Sequence, residues 1–160
     1  MNTDVMSYSP DDLKEEIQAC VTLIKEGCAV DPESAAAELP RSIVVAIQRD
    51  GQDIVAIGAI KRKRPGYASG IARKSGFPFN ENSHELGYVA VKESHRRRGL
   101  SHEITAKLLA AFQSRPLFAT TSNEGMKRTL KMAGFVRQGN EWLGTKGKLS
   151  LWIKDTDFSK

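Results

Sequence analysis

Two apolar periods alternate along this chain, and their alternation constrains the fold more than any other feature of it. Leu13, Ile17, Cys20, Val21, Ile24 and Cys28 recur at helical spacing. They follow a start signal in which Ser9 caps, Pro10 takes the first helical position, and Asp11 and Asp12 sit at the positive end of the dipole. Asp31-Pro32-Glu33 opens a second, shorter helix through Ala35, Ala36 and Ala37, which Pro40 closes. The period then changes. Ile43 to Ile47 and Ile54 to Ile60 are β-branched runs about Asp50-Gly51, the signal of a tight antiparallel hairpin. Leu86 to Val91 reads as a strand, Leu100 to Phe112 as a helix and Leu117 to Thr121 as a short buried strand. Met126, Leu130 and Ala133 mark a helix that stops at Gly134, with Phe135 placed to fold back on Leu130. Val136 to Leu143, interrupted at Gly139-Asn140, and Leu149 to Ile153 complete the sheet. The expected fold class is α/β (α+β), a mixed sheet of about six to seven strands flanked by about four helices.

The chain has 160 residues. At that length roughly two thirds of the unfolded surface is buried on folding, so a single domain over residues 1–160 needs neither a metal nor a disulfide framework. No apolar run approaches the roughly 20 residues of a membrane span. The first thirty residues lack the basic-then-apolar pattern of a secretory signal. The expectation is a cytoplasmic protein with no membrane partner. Cys20 and Cys28 fall eight positions apart on one expected helix, where they cannot bridge, and both read as buried apolar thiols. His84, His95 and His102 show no ligand spacing with either thiol, and no metal site is expected.

Charge is unevenly spread. Residues 1–40 carry nine acidic and two basic side chains, whereas the remainder carries ten acidic and 22 basic. The later field favours an anionic partner: a phosphorylated cofactor, a nucleic acid or an acidic substrate. Lys61 to Ser83 is expected as a long connection without helical or strand period. Six basic residues and no acidic one lie between Lys61 and Lys74, with Tyr67, Phe77 and Phe79 interleaved. Such a segment suits an acidic acceptor or a nucleic acid, or is a solvated loop anchored by its two phenylalanines.

The chemistry concentrates where a strand runs through a basic turn into a helix. Glu85-Leu86-Gly87-Tyr88-Val89-Ala90-Val91 is followed by His95-Arg96-Arg97-Arg98-Gly99-Leu100-Ser101. Unpaired amides at the helix start and the helix dipole attract phosphate, Gly99 lets the backbone approach closely, and three consecutive arginines add charge-assisted hydrogen bonds. The turn suits a pyrophosphate. Neither a Gly-x-Gly-x-x-Gly nor a Gly-Lys-Ser/Thr phosphate loop is present, and a solvated basic turn is the alternative reading of the same residues.

This pattern resembles the GNAT superfamily of acetyl-CoA-dependent N-acetyltransferases. The family's strand leading into Arg/Gln-x-x-Gly-x-Gly/Ala is matched by Arg96 to Ser101. Its later Asn, opening a helix that ends in Gly-Phe, is matched by Asn123 through Gly134-Phe135, and the element order over roughly residues 10 to 154 agrees. The resemblance implies a GNAT-like acyl-CoA N-acyltransferase fold with a centrally splayed sheet. It implies that Arg96, Arg97, Arg98, Gly99, Leu100 and Ser101 hold the pyrophosphate of coenzyme A. Val89 and Val91 would pair with the pantetheine arm and polarise the acetyl carbonyl, and Asn123 would sit beside the arm or act as a simple helix cap.

Glu85 is similar to the catalytic Glu of some histone-acetylating members. Six residues before Val91, it falls on the same strand face by the two-residue period. A carboxylate there takes the proton that an ammonium, with a pKa of about 10, must lose before attack. An exposed edge carboxylate or an ion-pair partner of the basic loop is its other reading. Tyr88, of opposite parity, reads as core. Two positions depart from the family pattern. Ser101 stands where Gly or Ala is preferred, and Leu130 stands where many members carry the Tyr that protonates the departing thiolate, so no general acid is assigned. The implied activity is acetyl transfer from acetyl-CoA, as co-substrate and without a metal, to a primary amine of a small-molecule or peptide acceptor by direct attack. Exposed late strands leave a homodimer open. Two other classes compete: a coenzyme-A-binding regulatory module without chemistry, and a nucleic-acid binder working through residues 61–74, which match no known reader motif.

Overall fold

The structure is a computed structural model that describes residues 2–6, 10–27, 32–80, 82–113, 115–144 and 147–155. In chain order its elements are β1 (Asn2–Met6), α1 (Glu16–Gly27), α2 (Pro32–Glu38), β2 (Val44–Asp50), β3 (Asp53–Ile60), α3 (Tyr67–Ser75), β4 (His84–Val91), α4 (Leu100–Ala111), β5 (Leu117–Thr121), α5 (Glu124–Met132), β6 (Val136–Gly144) and β7 (Gly147–Lys154). Short 3-10 turns occupy Pro10–Leu13, Leu39–Arg41 and Glu93–His95. Helices and strands mix as expected for the α/β (α+β) class. The chain divides into two compact units, Met1–Lys61 with Leu86–Gln113, and Arg62–Glu85 with Ser114–Lys160.

In the first unit β1, β2, β3 and the later part of β4 pair antiparallel in that order. The hairpin forms where Asp50-Gly51 places it, with Gly51 at φ +65° and Asp50 facing Asp53. β1 was not expected from the sequence, because its five residues carry no alternating apolar period. The helix expected from Pro10 is broken: Lys14 sits at φ +47° and separates the 3-10 turn from α1, since a left-handed residue cannot continue a right-handed helix. The Ser9 cap, Cys28 and Asp31 lie outside the described residues.

The core of this unit has two sides. On one, Cys20, Val21, Leu23 and Ile24 of α1, with Ala35 and Leu39, pack on Val45, Ile47, Ile57, Ala59, Tyr88 and Ala90. Each large aliphatic fully buried here contributes about 1.5–3 kcal/mol. On the other, Leu100, Ile104 and Leu108 of α4 are buried, and α4 lies so close to β3 that a Cβ on Gly58 would stand 2.5 Å from Ile104 Cγ2.

β4 carries a bulge. Leu86 pairs Ile60, Gly87 pairs Ala59, Ala90 pairs Ile57 and Val91 pairs Ala56, so Tyr88 and Val89 together face the single residue Gly58. Tyr88 absorbs the extra residue at φ +57°. It is core, as expected, with Lys61 Nζ 4.1 Å from its ring centroid. The strict two-residue period across β4 therefore fails: Gly87 shares a face with Ala90, whereas Val91 shares one with Leu86. By alternation Glu85 follows Gly87, and its expected common face with Val91 is overturned by the inserted residue.

In the second unit β7 lies between β5 and β6, all antiparallel, and the first two residues of β4 run parallel to β5 through His84↔Leu117 and Glu85↔Phe118. The connection expected to lack a period contains α3, bounded by Gly66 at φ +75° and Gly76 at φ +69°, which raises the α-helices among the described residues to five. Tertiary packing stabilises it. Ile71 is buried with Phe118, Leu151 and Ile153, and Tyr67, Phe77 and Phe79 close over them. α5 stops as expected: Gly134 N–H donates to Lys131 O at 3.1 Å and Phe135 N–H to Leu130 O at 2.9 Å, the paired bonds of a glycine-terminated helix.

Candidate active site

The turn between β4 and α4, within the first unit, is built to leave amides pointing outward. Arg97 at φ +67° and Gly99 at φ +77° flank Arg98, and Gly99 caps α4 without a side-chain hydrogen bond. The first α4 bond runs from Glu103 N–H to Gly99 O at 3.1 Å. Among the described residues, no backbone carbonyl accepts from the amides of Arg97, Arg98, Gly99 or Leu100. Alternating hand over these residues makes a concave nest of N–H groups at the positive end of a twelve-residue helix, which suits a diphosphate. Leu100, 2% exposed, pins the helix start to the core.

The side chains around the nest are divided in role. Arg96 turns back: its Nε donates to Val91 O at 3.0 Å and ties the end of β4 to the turn. His95 does the same for the β2–β3 hairpin. Its Nε2 lies 2.8 Å from Asp50 Oδ2 and its Nδ1 2.8 Å from Ser94 Oγ. The hydrogen bond from His95 holds the Asp50 carboxyl below its ordinary range. This anchor escaped the sequence reading, because Asp50 and His95 are 45 positions apart.

In the second unit a cavity of about 350 Å³ opens between α3, the chain before it and the start of β4. Glu85, 8% exposed, is the one carboxylate in its wall among the described residues. Arg62, Lys63 and Arg64 line it too, with Tyr67 and Phe118 as its aromatic side. Arg64 is tied in twice: its guanidinium carbon stands 3.8 Å over the Tyr67 ring, and its Nη2 lies 3.6 Å from Glu85 Oε1. Burial overturns the reading of Glu85 as an exposed edge carboxylate; it lines the cavity and pairs with Arg64 of the basic stretch. Beside it, burial first and then the charges of Lys63, Arg115 and Arg62 hold the His84 imidazole below its ordinary value.

Asn123 caps α5, its Oδ1 accepting from Met126 N–H at 2.8 Å, which leaves its amide nitrogen for any further contact. Leu130 is fully buried and offers no proton. Sequence reasoning missed Ser83 as a cavity residue. The signal available was its position two before Glu85, one residue ahead of β4.

Solved structures share this architecture. A GNAT-family acetyltransferase from Streptococcus agalactiae superposes with a TM-score of 0.72 at 14% identity, over 97% of this chain and 96% of its own. An acyl-CoA N-acyltransferase from Pseudomonas aeruginosa gives 0.65 at 17% identity, over 96% and 99%. The yncA protein of Salmonella typhimurium, solved with its cofactor acetyl-CoA, gives 0.62 at 13% identity, over 98% and 95%. The fold is that of the acyl-CoA N-acyltransferases. No curated protein matches the chain by sequence. The sequence model of the acetyltransferase (GNAT) family matches residues 10–135, and the chain belongs to that family. It is an acyltransferase, of a family that uses acetyl-CoA. No helix among the described residues is long and apolar enough to cross a membrane.

Proposed function

We propose that this protein transfers an acetyl group from acetyl-CoA to the primary amine of a small acceptor, with Glu85 as the general base. The observation that carries the reading is the nest of amides from Arg97 to Leu100, uncommitted to any backbone carbonyl of the described residues, at the start of α4. These amides, with Arg98 and Ser101 beside them, hold the diphosphate of the coenzyme. Arg96 keeps β4 and the turn in fixed relation, so that the backbone of Val89 and Val91 meets the pantetheine arm as a neighbouring strand would. Asn123 offers its amide nitrogen to the same arm. Bound acetyl-CoA supplies the activated acyl carbon.

Glu85 takes a proton from the acceptor ammonium, directly or through a water, and frees the lone pair that attacks the thioester carbon. The new C–N bond forms as the C–S bond breaks. The second proton that the nitrogen loses passes through water to the departing thiolate, whose thiol has a pKa of about 8.5 and needs no protein acid. Glu85→Gln should lower kcat at neutral pH by about a hundredfold while leaving the Kd for coenzyme A unchanged. An unaltered kcat removes Glu85 from the chemistry, and no saturable binding of acetyl-CoA at moderate salt ends the whole reading.

Leu130 favours a second reading, a coenzyme-A-binding module without turnover, since the position at which many family members carry an acid is here an apolar core residue. Thiol release over a panel of amines separates the two, because the module binds and never releases thiol.

A further inference from the structure

The cavity that contains Glu85 is poorly suited to a simple cationic amine. Among the described residues its wall presents one carboxylate against Arg62, Lys63 and Arg64, and Arg64 Nη2 stands 3.6 Å from that carboxylate. A polyamine or other multiply charged cation entering here meets a net positive wall. The depression of the His84 titration by Lys63, Arg115 and Arg62, after burial, reports the same field from a neighbouring strand position.

Two further features of the wall call for an anion. The first is the start of α3, a nine-residue helix with no acidic residue in its first turn and no side-chain cap. Tyr67 N–H donates to Arg64 O and Gly70 N–H to Gly66 O, but the amides of Ala68 and Ser69, which line the cavity, donate to no backbone carbonyl of the described residues. The second is Ser83. This residue lines the cavity, is 1% exposed, and its buried hydroxyl has no hydrogen-bond partner among the described residues. A buried hydroxyl left unpaired is costly, and a ligand oxygen would satisfy it.

We infer that the acceptor is a small amine carrying its own oxyanion, a carboxylate or a phosphate ester, with the ammonium at Glu85 and the oxyanion at Ser83, the α3 start, Arg62 and Lys63. This rests on the acetyltransferase reading above and narrows its substrate. The cavity, about 350 Å³, lies at the small end of ligand sites. Tyr67 and Phe118, with ring centroids 6.2 Å apart, give the body of the molecule an aromatic side to lie on. The two charges of the acceptor thus answer the two signs in the wall.

The test compares matched amines: phenylalanine with phenylalaninamide, O-phosphoethanolamine with ethanolamine, and spermidine. Thiol release from acetyl-CoA is followed for each, and calorimetry measures binding of each to the protein saturated with coenzyme A. The anionic member of at least one pair should exceed its neutral match by about tenfold or more in kcat/KM and in affinity, and the pair that does so distinguishes carboxylate from phosphate. In the R62Q/K63Q variant that ratio should fall toward one through a rise in KM for the anionic member, with coenzyme A affinity as the control for folding. Ser83→Ala should weaken the anionic member in the same sense. A preference for spermidine or for the neutral matches, or equal loss for both members in R62Q/K63Q, overturns the inference and leaves the enzyme assignment standing. Absence of thiol release from every amine, with coenzyme A still bound, removes the enzyme assignment, and the calorimetric comparison then still decides whether the cavity selects an oxyanion.

Discussion

Replacing Gly99 by alanine isolates the backbone conformation on which the proposed diphosphate nest depends. Gly99 sits at φ +77°, and a Cβ there would meet nothing within 4 Å, so the substitution carries no steric term from its surroundings. The left-handed region costs an L-residue roughly 1–2 kcal/mol. Part of that cost is offset because alanine restricts the unfolded chain, an effect of roughly 0.4–1 kcal/mol. The net loss is about 1 kcal/mol, a fall in Tm of about 2–4 °C for a chain of this size. Gly51→Ala is the matched control: φ is +65°, nothing lies within 4 Å, and the residue is in the β2–β3 turn. Both variants should lose similar stability in a calorimetric scan. Only Gly99→Ala should weaken coenzyme A, by about tenfold or more, since relaxing toward negative φ re-aims amides that each make charge-assisted bonds worth roughly 1.5–3 kcal/mol. Titration calorimetry at fixed salt reads the difference. If Gly99→Ala falls in Tm as Gly51→Ala does and yet binds coenzyme A as tightly as the parent, the nest does not carry the diphosphate and the reasoning fails.

Three further outcomes follow from the packing and the charges. Gly58→Ala should destabilise by about 1–3 kcal/mol, because its Cβ would stand 2.5 Å from Ile104 Cγ2 and 3.0 Å from Leu108 Cδ1; denaturant midpoints measure it. Burial, then the Glu16 charge, push the Cys20 thiol up to about 12, so in a Cys28→Ser background iodoacetamide at pH 8 should leave Cys20 unmodified until the chain unfolds. A raised value contributes stability that is complete below the ordinary thiol pKa and fades as pH climbs toward about 12. For Asp50 the sign is reversed. Its carboxyl is held low by His95, so the contribution is present above the ordinary carboxylate pKa and disappears as pH falls through the native value. Asp50→Asn should therefore shift the urea midpoint at pH 6 and leave it nearly unmoved at pH 2, where an equal shift at both values refutes the pairing.

The elements with strong period were legible in the sequence: the β2–β3 hairpin, β5, α4, and α5 with its Gly134-Phe135 stop. Those that were not legible owe their form to partners distant in the chain. α3 holds one buried aliphatic, Ile71, and a mid-helix Gly70, so its own residues argue poorly for a helix. Its stability comes from aromatic neighbours on both sides and from Phe118, Leu151 and Ile153. The break at Lys14 and the bulge at Tyr88 place non-glycine residues at positive φ, where no composition cue marks them. The strand–turn–helix junction was legible because it is local, a strand end, an arginine run, a glycine and a helix start. The cavity was only half legible. The cations of residues 61–74 were in view, but the burial of Ser83 and the stacking of Arg64 on Tyr67 depend on a helix that the pattern concealed.

Because Tyr88 and Val89 together answer one residue of β3, the strand works as a gear with a spare tooth. Loss of either residue would restore plain alternation and turn everything upstream, Glu85 included, through half a revolution to the far side. Length changes, harmless in many loops, are thereby barred from this stretch. Substitutions before Glu85 remain open, so the proposed acceptor end can be retuned by point replacement while the Val91–Ala56 register stays locked.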